Sequence, residues 1–258
     1  MSFYPQIASG AIAQFPARRE RQWRSIANEL ESGEQILLQD PDGGMIGWDL
    51  RYVDLSDAEA TALKNLFASC SGSYAWFTFI DPMANLLGWS EDLTRSDWQT
   101  GLLTTSYGAN DPLGTQRATT LVNGQPGAQP LVQSVSMPGD YAACLSAWIR
   151  SDVGGNITLQ RDNTQSVIVA TSSWMRIYLS APGIAGAPQS TFSISLNAGQ
   201  SIDIWGLQVE AQPYPSPYKQ TFAARGIYNE TYFANDDLTV TSTAPGLFSS
   251  AVQLISRV

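Results

Sequence analysis

Residues 201–221 read SIDIWGLQVEAQPYPSPYKQT, and this stretch decides the fold class. Its apolar side chains Ile202, Ile204, Leu207 and Val209 alternate with polar ones, which is the pattern of a β-strand with one buried face. Gly206 interrupts the alternation and indicates a β-bulge. The three prolines at 213, 215 and 217 then end the strand, because proline cannot continue a helix or a central strand.

The rest of the chain also favours β structure. The 258 residues are enough for two domains with separate cores, and 21 glycines and 14 prolines are spread along them. Glycine and proline distributed in this way supply turns between many short strands. Alternating segments between such turns predict a β-sandwich, with strands at 143–150, 156–161, 166–170, 174–180, 191–196 and 201–209.

The N-terminal part predicts a compact α+β unit instead. Residues 35–40 and 45–55 are strand-like and flank a Pro-Asp-Gly-Gly turn at 41–44, which predicts a hairpin. Ser56 and Glu59 form a capping box at the start of a helix that covers one sheet face. A further strand is expected at 74–80.

Residues 222–258 are too short to fold alone, so we expect them to add strands to the N-terminal sheet. The predicted domains are therefore 1–84 and 222–258, which form one host domain, with 85–221 inserted between them.

Two segments far apart in the sequence form a pair. Residues 85–98 read NLLGWSEDLTRSDW, and IWGLQVE at 204–210 leads into a Pro/Ser/Tyr-rich stretch that closes in Thr221. The pair resembles the opening and closing segments of small jelly-roll modules in bacteriophage tail and virion proteins. This resemblance implies that 85–221 is a jelly roll like those of carbohydrate-binding modules.

The N-terminal region resembles the first domain of phage distal-tail proteins. The match comprises Leu55, Ser56, Glu59, Leu63, Leu66, Phe67, Gly72, Phe77, Phe79, Asp81 and Pro82. It implies a structural, non-enzymatic subunit of a phage tail tip or baseplate, which forms a ring of six copies around the tail channel and displays the jelly roll outward. It also implies contacts with the tail tube, hub and tape-measure proteins, and a location in the virion after synthesis in the host cytoplasm.

Charge and composition exclude several classes of function. The net charge of −9 argues against nucleic acid as a partner, because phosphate binding needs clustered Lys and Arg. The chain contains no histidine, which excludes Ser-His-Asp and Cys-His hydrolases and most zinc sites. No apolar run is long enough for a membrane span and the N-terminus does not read as a signal peptide, so neither membrane insertion nor export is expected.

The sandwich strands place one set of polar and aromatic side chains on the face away from the core. The predicted carbohydrate-binding residues are Trp148, Arg150, Arg176, Tyr178, Trp205 and Gln208. Aromatic rings offer a flat apolar surface to a sugar ring, and the neighbouring Arg and Gln side chains bind hydroxyls. Packing of this face on a subunit or a loop is the simpler alternative, because tryptophan is common at buried interfaces.

Two other functions stay open beside the structural one. The first is an adhesin of the virion that binds host-surface polysaccharide, and the second is a polysaccharide-degrading tail component, which needs a carboxylate pair about 5–10 Å apart. No catalytic residue and no cofactor are predicted. A structural calcium ion is considered because carbohydrate-binding jelly rolls often carry one, with oxygen ligands from Glu91, Asp92, Asp140, Asp162, Asp203 and Glu210.

Overall fold

The computed structural model describes residues 2–40 and 42–257. Strands account for 49% of the residues, and the described part of the chain contains one helix. The predicted fold class, mainly β with one helix, is confirmed. Pro41 of the predicted turn at 41–44 lies outside the described residues.

The elements follow one another along the chain as β1 (Gln14–Gln22), β2 (Ser25–Glu29), β3 (Gln35–Gln39), β4 (Met45–Ser56), α1 (Asp57–Ser69), β5 (Phe77–Ile80), β6 (Thr104–Ala109), β7 (Ala118–Val122), β8 (Gln129–Val135), β9 (Ala142–Arg150), β10 (Gly155–Arg161), β11 (Thr164–Ala170), β12 (Met175–Pro182), β13 (Ser190–Leu196), β14 (Ser201–Glu210), β15 (Ile227–Phe233), β16 (Val240–Ala244) and β17 (Leu247–Arg257). They divide into two compact units. We call residues 1–8, 12–79 and 228–258 the sheet–helix unit, and residues 9–11 and 80–227 the sandwich unit.

The sheet–helix unit is built on a six-stranded sheet with the order β1-β4-β17-β15-β5, and β16 pairs with β17. Trp48 of β4 lies opposite Leu254 of β17, and both are buried. The Trp48 ring packs on Phe79 and Tyr228, with ring centroids 4.7 and 4.8 Å away. The C-terminal strand β17 therefore supplies part of this unit's core.

Helix α1 begins where the capping box predicts. The Glu59 backbone N–H donates to the Ser56 hydroxyl at 3.4 Å, and the Glu59 carboxylate accepts from the Ser56 backbone N–H at 2.7 Å. Two otherwise unpaired backbone donors are thereby satisfied at the helix start. The buried face of the helix carries Ala60, Leu63 and Leu66.

The predicted hairpin between residues 35–40 and 45–55 is wrong. β3 pairs with β2, whereas β4 pairs with β1 and β17. β2 is exposed at every position, so no buried face imposes the apolar alternation by which a strand is recognised. Arg18, Arg19 and Arg21 lie in strand β1.

The sandwich unit contains a four-stranded sheet, β11-β10-β13-β8, and a five-stranded sheet, β12-β9-β14-β7-β6. All six strands predicted between 143 and 209 are present, as β9 to β14. Strands β6, β7 and β8 were not predicted. The buried core includes Leu131, Leu145, Ile149, Ile157, Leu159, Ile177, Phe192, Ile194, Ile202 and Ile204.

Asn85 joins the opening and closing segments of the sandwich unit. Its side-chain N–H groups donate to the backbone oxygens of Leu207 at 2.9 Å and Lys219 at 3.1 Å. Its side-chain oxygen accepts from the backbone N–H of Val209 at 3.0 Å. The Thr221 hydroxyl also donates to the Leu87 oxygen at 2.6 Å, so residues 85–87 and 207–221 are held together.

Among the described residues, no helix is long and apolar enough to cross a membrane.

Candidate functional site

The six predicted carbohydrate-binding residues lie on three neighbouring strands of the five-stranded sheet. Trp148 of β9 is opposite Arg176 of β12 and Trp205 of β14. Ser146, two residues before Trp148, is opposite Tyr178 and Gln208 in the same way. Directly opposed residues of an antiparallel pair share a face, so these side chains lie together on the face away from the sandwich core, which we call the outer face.

The predicted bulge at Gly206 is confirmed and explains how the outer face is assembled. Trp205 and Gln208 are three residues apart, and in a regular strand they would point to opposite faces. Gly206 has a φ of 68°, and the register with β9 shifts between Trp205 and Gln208. The bulge therefore returns Gln208 to the face that carries Trp205.

The segment after β14, residues 211–221, covers one half of the outer face, and we call it the exit segment. The ring of Tyr218 stands edge-on to Trp205 with centroids 4.8 Å apart. The Ser216 backbone oxygen accepts from Arg176 Nη2 at 2.6 Å and from Gln208 Nε2 at 3.2 Å. Trp205 is 6% exposed and Gln208 is 0% exposed, so neither offers a surface to a ligand outside the segment.

Glu210 fixes the exit segment in this position. Its carboxylate is 1% exposed and accepts from Gln208 Nε2 at 2.7 Å, from the Ser216 backbone N–H at 2.9 Å and from Lys219 Nζ at 2.8 Å. The Ser216 hydroxyl donates to the same carboxylate. A buried carboxylate is stable only when its oxygens are satisfied, so the exit segment and Glu210 hold each other in place.

The other half of the outer face is open, and we call Trp148, Arg150, Trp174, Tyr178 and Asp203 the open patch. Trp148 and Trp174 are half-buried, and Tyr178 is exposed. The Arg150 guanidinium lies over the Trp174 ring, 5.1 Å from its centroid. Its Nε donates to Asp203 Oδ2 at 2.8 Å, so this charged pair is fixed beside two indole rings.

Asp203 receives a second hydrogen bond, from the Thr120 hydroxyl of β7 to Oδ1 at 2.6 Å. The side chains of Arg150 and Asp203 are 30% and 18% exposed, so both remain accessible to a ligand. Trp174 and Asp203 were not among the predicted carbohydrate-binding residues. The two-residue strand period locates both, because Trp174 precedes Arg176 and Asp203 precedes Trp205 by two positions.

Two polar atoms beneath the open patch and the exit segment have no partner among the described residues. Arg176 Nε and Trp205 Nε1 are buried without a hydrogen-bond acceptor.

In the same sheet, burial raises the pKa of the Cys144 thiol to about 12. Cys144 therefore stays protonated at neutral pH, where it is a poor nucleophile.

The carboxylates considered as calcium ligands do not converge. Glu91 pairs with Arg117, Asp92 with Arg95, Asp203 with Arg150 and Glu210 with Lys219. Within residues 2–40 and 42–257, no group of three or more His, Cys, Asp or Glu side chains is placed to hold a metal ion. The donor set does not fit a calcium site.

No family model and no curated protein matches the chain, and the resemblance to distal-tail proteins stays a prediction. Similar solved structures match only part of this chain, and three of them illustrate the similarity. The enzymatically active domain of tailspike protein 4 from bacteriophage CBA120 is 15% identical with a TM-score of 0.38, and the match covers 51% of this chain and 22% of that one.

A family 16 carbohydrate-binding module is 13% identical with a TM-score of 0.36, over 48% of this chain and 99% of the module. The CBM22-1 xylan-binding domain from Paenibacillus barcinonensis is 12% identical with a TM-score of 0.38, over 55% of this chain and 98% of the domain. TM-scores this low do not establish a relationship, and they assign no ligand to this chain.

Proposed function

We propose that the sandwich unit binds carbohydrate at the open patch, and that the chain acts as an adhesin of a phage virion which recognises host-surface polysaccharide. The observation that supports this proposal is the fixed arrangement of Arg150 and Asp203 beside the rings of Trp148 and Trp174. The apolar face of a sugar ring stacks on an indole, while a guanidinium and a carboxylate bind adjacent hydroxyl groups.

The open patch is preorganised before a ligand arrives. Arg150 is held by the Asp203 carboxylate and stacked on Trp174, and Asp203 is also held by Thr120. Side chains that are already ordered lose little conformational entropy on binding, which favours affinity. The exit segment supports the proposal as well, because it fixes Arg176 beside Trp148 through the Ser216 oxygen.

A surface patch of this kind is expected to bind one sugar segment weakly. Shallow sites cover little of the ligand, and association costs translational and rotational freedom. Several copies on one particle raise the apparent affinity by on the order of 10²-fold or more when the geometry allows simultaneous contacts. Adhesion of the particle is therefore compatible with weak binding by a single chain.

The proposal is tested by adsorption of the purified chain, displayed in many copies on beads, to host cells and to immobilised surface polysaccharide. Trp174→Ala and Arg150→Ala should each reduce the bound fraction at least tenfold. Tyr214→Ala is the matched control, because Tyr214 is an aromatic residue that is 69% exposed on the exit segment and lies outside the open patch. Equal adsorption of wild type and Trp174→Ala would refute carbohydrate binding at this patch.

A second candidate function is the structural one, a tail-tip or baseplate subunit that assembles in a ring with the tail tube, hub and tape-measure proteins. The observation in its favour is the strand pair β2–β3, which is exposed on both sides and carries large apolar residues. Gold-labelled antibodies against the chain should mark the tail tip of the particle in electron micrographs. Labelling of the capsid, or of no part of the particle, would contradict this role.

A further inference from the structure

Arg176 on the outer face of the five-stranded sheet is a cation without a counter-ion. On the same face, Arg150 is paired with Asp203, and Lys219 is paired with Glu210. None of the ion pairs in the described part of the chain includes Arg176. These three positive and two negative side chains leave an excess of positive charge on the outer face, although the whole chain has a net charge of −9.

The guanidinium group of Arg176 is only partly satisfied by hydrogen bonds. Its Nη2 donates to the Ser146 hydroxyl at 3.2 Å and to the Ser216 backbone oxygen at 2.6 Å. Its Nε is buried without an acceptor, whereas its Nη1 is solvent-accessible and makes no hydrogen bond to a described residue. The two bonds of Nη2 fix the orientation of the group but leave its charge unneutralised, because both acceptors are neutral oxygens. Nη1 is therefore the donor that is left for a ligand.

Aromatic rings, and not carboxylates, surround Arg176 on the outer face. Trp148 of β9 lies directly opposite it. Trp174 and Tyr178 lie two positions before and after it in the sequence, so both share its face. Directly opposed residues have Cβ atoms about 4.5–5.5 Å apart. One sugar ring can therefore pack on the Trp148 indole and reach Arg176 Nη1 with a substituent.

The charge of Arg176 decides which substituent suits it best. A sugar hydroxyl satisfies an N–H donor but leaves the positive charge without a partner. A carboxylate satisfies both, and hydrogen bonds between charged groups are roughly twice as strong as those between neutral groups. A bound sugar also removes water from the guanidinium, which costs free energy unless the ligand supplies the opposite charge. The site therefore favours an anionic sugar over a neutral one.

We propose that the open patch, together with Arg176, recognises an acidic polysaccharide, in which the carboxylate of a uronic acid accepts a hydrogen bond from Arg176 Nη1 while the sugar ring packs on Trp148. The inference rests on the proposed carbohydrate binding and adds the charge of the substrate. The two arginines then have different roles. Arg150 stays paired with Asp203 and binds hydroxyl groups, whereas Arg176 binds the carboxylate.

The test compares one polysaccharide in two forms. Purified host-surface polysaccharide is immobilised either as isolated or after carbodiimide activation and borohydride reduction, which convert uronic acid carboxyl groups to neutral hydroxymethyl groups. Sulfate and phosphate esters keep their charge in this treatment, so a difference between the two forms reports on carboxylates. Wild type should bind the native form at least tenfold more tightly than the reduced form.

Salt gives a second readout that needs no variant. The preference of wild type for the native form should shrink between about 0.05 M and about 0.5 M salt, because salt screens a charge that is partly exposed to solvent. Binding of the reduced form should change little over the same range, since it involves no ion pair with the ligand.

Variants of Arg176 assign the preference to this side chain. Arg176→Gln removes the charge and keeps an amide donor, so the variant should bind both forms equally and match wild type on the reduced form. Arg176→Lys keeps the charge and should retain a preference for the native form. Arg95→Gln is the matched control, because the Arg95 side chain is 51% exposed, lies over the Trp89 ring and belongs to no strand of the outer face. This control should keep the full preference.

The outcomes separate this inference from the proposed function. Equal binding of both forms by wild type overturns the inference and leaves carbohydrate binding in place, and so does an Arg176→Gln variant that keeps the preference. If Arg176→Gln also loses the reduced form, the salt series of wild type decides, and an unchanged preference at both salt concentrations overturns the inference. Absence of wild-type binding to either form contradicts the proposed function itself.

Discussion

Removal of the Glu210 carboxylate should release the exit segment from the outer face. The carboxylate accepts hydrogen bonds from Gln208, Ser216 and Lys219, and it is 1% exposed. Breaking a buried ion pair by deleting one partner costs about 3–5 kcal/mol. The Lys219 side chain is 32% exposed, so water replaces part of its lost interaction, and we expect Glu210→Ala to lower the free energy of unfolding by about 3 kcal/mol.

For a chain of this size, that change lowers the melting temperature by about 6–12 °C. Urea unfolding followed by tryptophan fluorescence measures it, and acrylamide quenching of the native state reports whether Trp205 has become accessible. Asp92→Ala is the control, since Asp92 is a surface carboxylate paired with Arg95 and should cost less than about 1 kcal/mol. If Glu210→Ala costs no more than the control and leaves quenching unchanged, Glu210 does not hold the exit segment.

Two further predictions concern the helix cap and the bulge. Burial raises the pKa of Glu59, but hydrogen bonds from Ser56 and from the Ala8 backbone outweigh it and hold that pKa below its usual value. The stability this carboxylate contributes is present above its unfolded-state pKa and is lost as pH falls through the folded-state pKa. Urea titrations should therefore show that Glu59→Gln is destabilised by about 1 kcal/mol at neutral pH and by less in acid. An equal loss at both pH values would show that the stability does not come from the ionised Glu59 carboxylate. Gly206→Ala should destabilise the chain by about 1–2 kcal/mol in thermal melts. The reason is that Gly206 has a φ of 68° and that a Cβ there would lie 3.3 Å from Trp148 Cδ1. An unchanged melting temperature would show that this backbone conformation does not require glycine.

Local signals were enough to locate several elements from the sequence. The start of α1 depends on Ser56 and Glu59, which are three residues apart, and the structure confirms the cap. The face of β14 depends on the alternation of Ile202, Ile204, Leu207 and Val209, all of which are buried. In both cases residues that are close in sequence determine the structure.

Long-range contacts were not readable in the same way. The prolines after β14 correctly end the strand, but the path of the exit segment depends on the contacts of Glu210 with Ser216 and Lys219. The sequence therefore placed Trp205 and Gln208 in the ligand site, although the exit segment covers both. Strand β2 was missed for a related reason, because a ribbon exposed on both faces leaves no periodic pattern.

The open patch could be predicted only in part. The strand period placed Trp148, Arg150 and Tyr178 correctly on one face. It gave no information on which half of that face stays uncovered, so Asp203, which is fixed by Arg150 and Thr120, was considered only as a calcium ligand. Which half of the face stays uncovered is decided by side-chain pairing across strands, and that pairing depends on the register of three strands.

Isothermal titration of the full chain with purified oligosaccharides from host-surface polysaccharide tests carbohydrate binding at the open patch most directly. We predict one site per chain with a dissociation constant of roughly 10 µM to 1 mM, weakened at least tenfold by Trp174→Ala and left unchanged by Tyr214→Ala. Absence of binding by wild type to every fragment of a polysaccharide to which the particle adheres, or equal binding by Trp174→Ala, would contradict it.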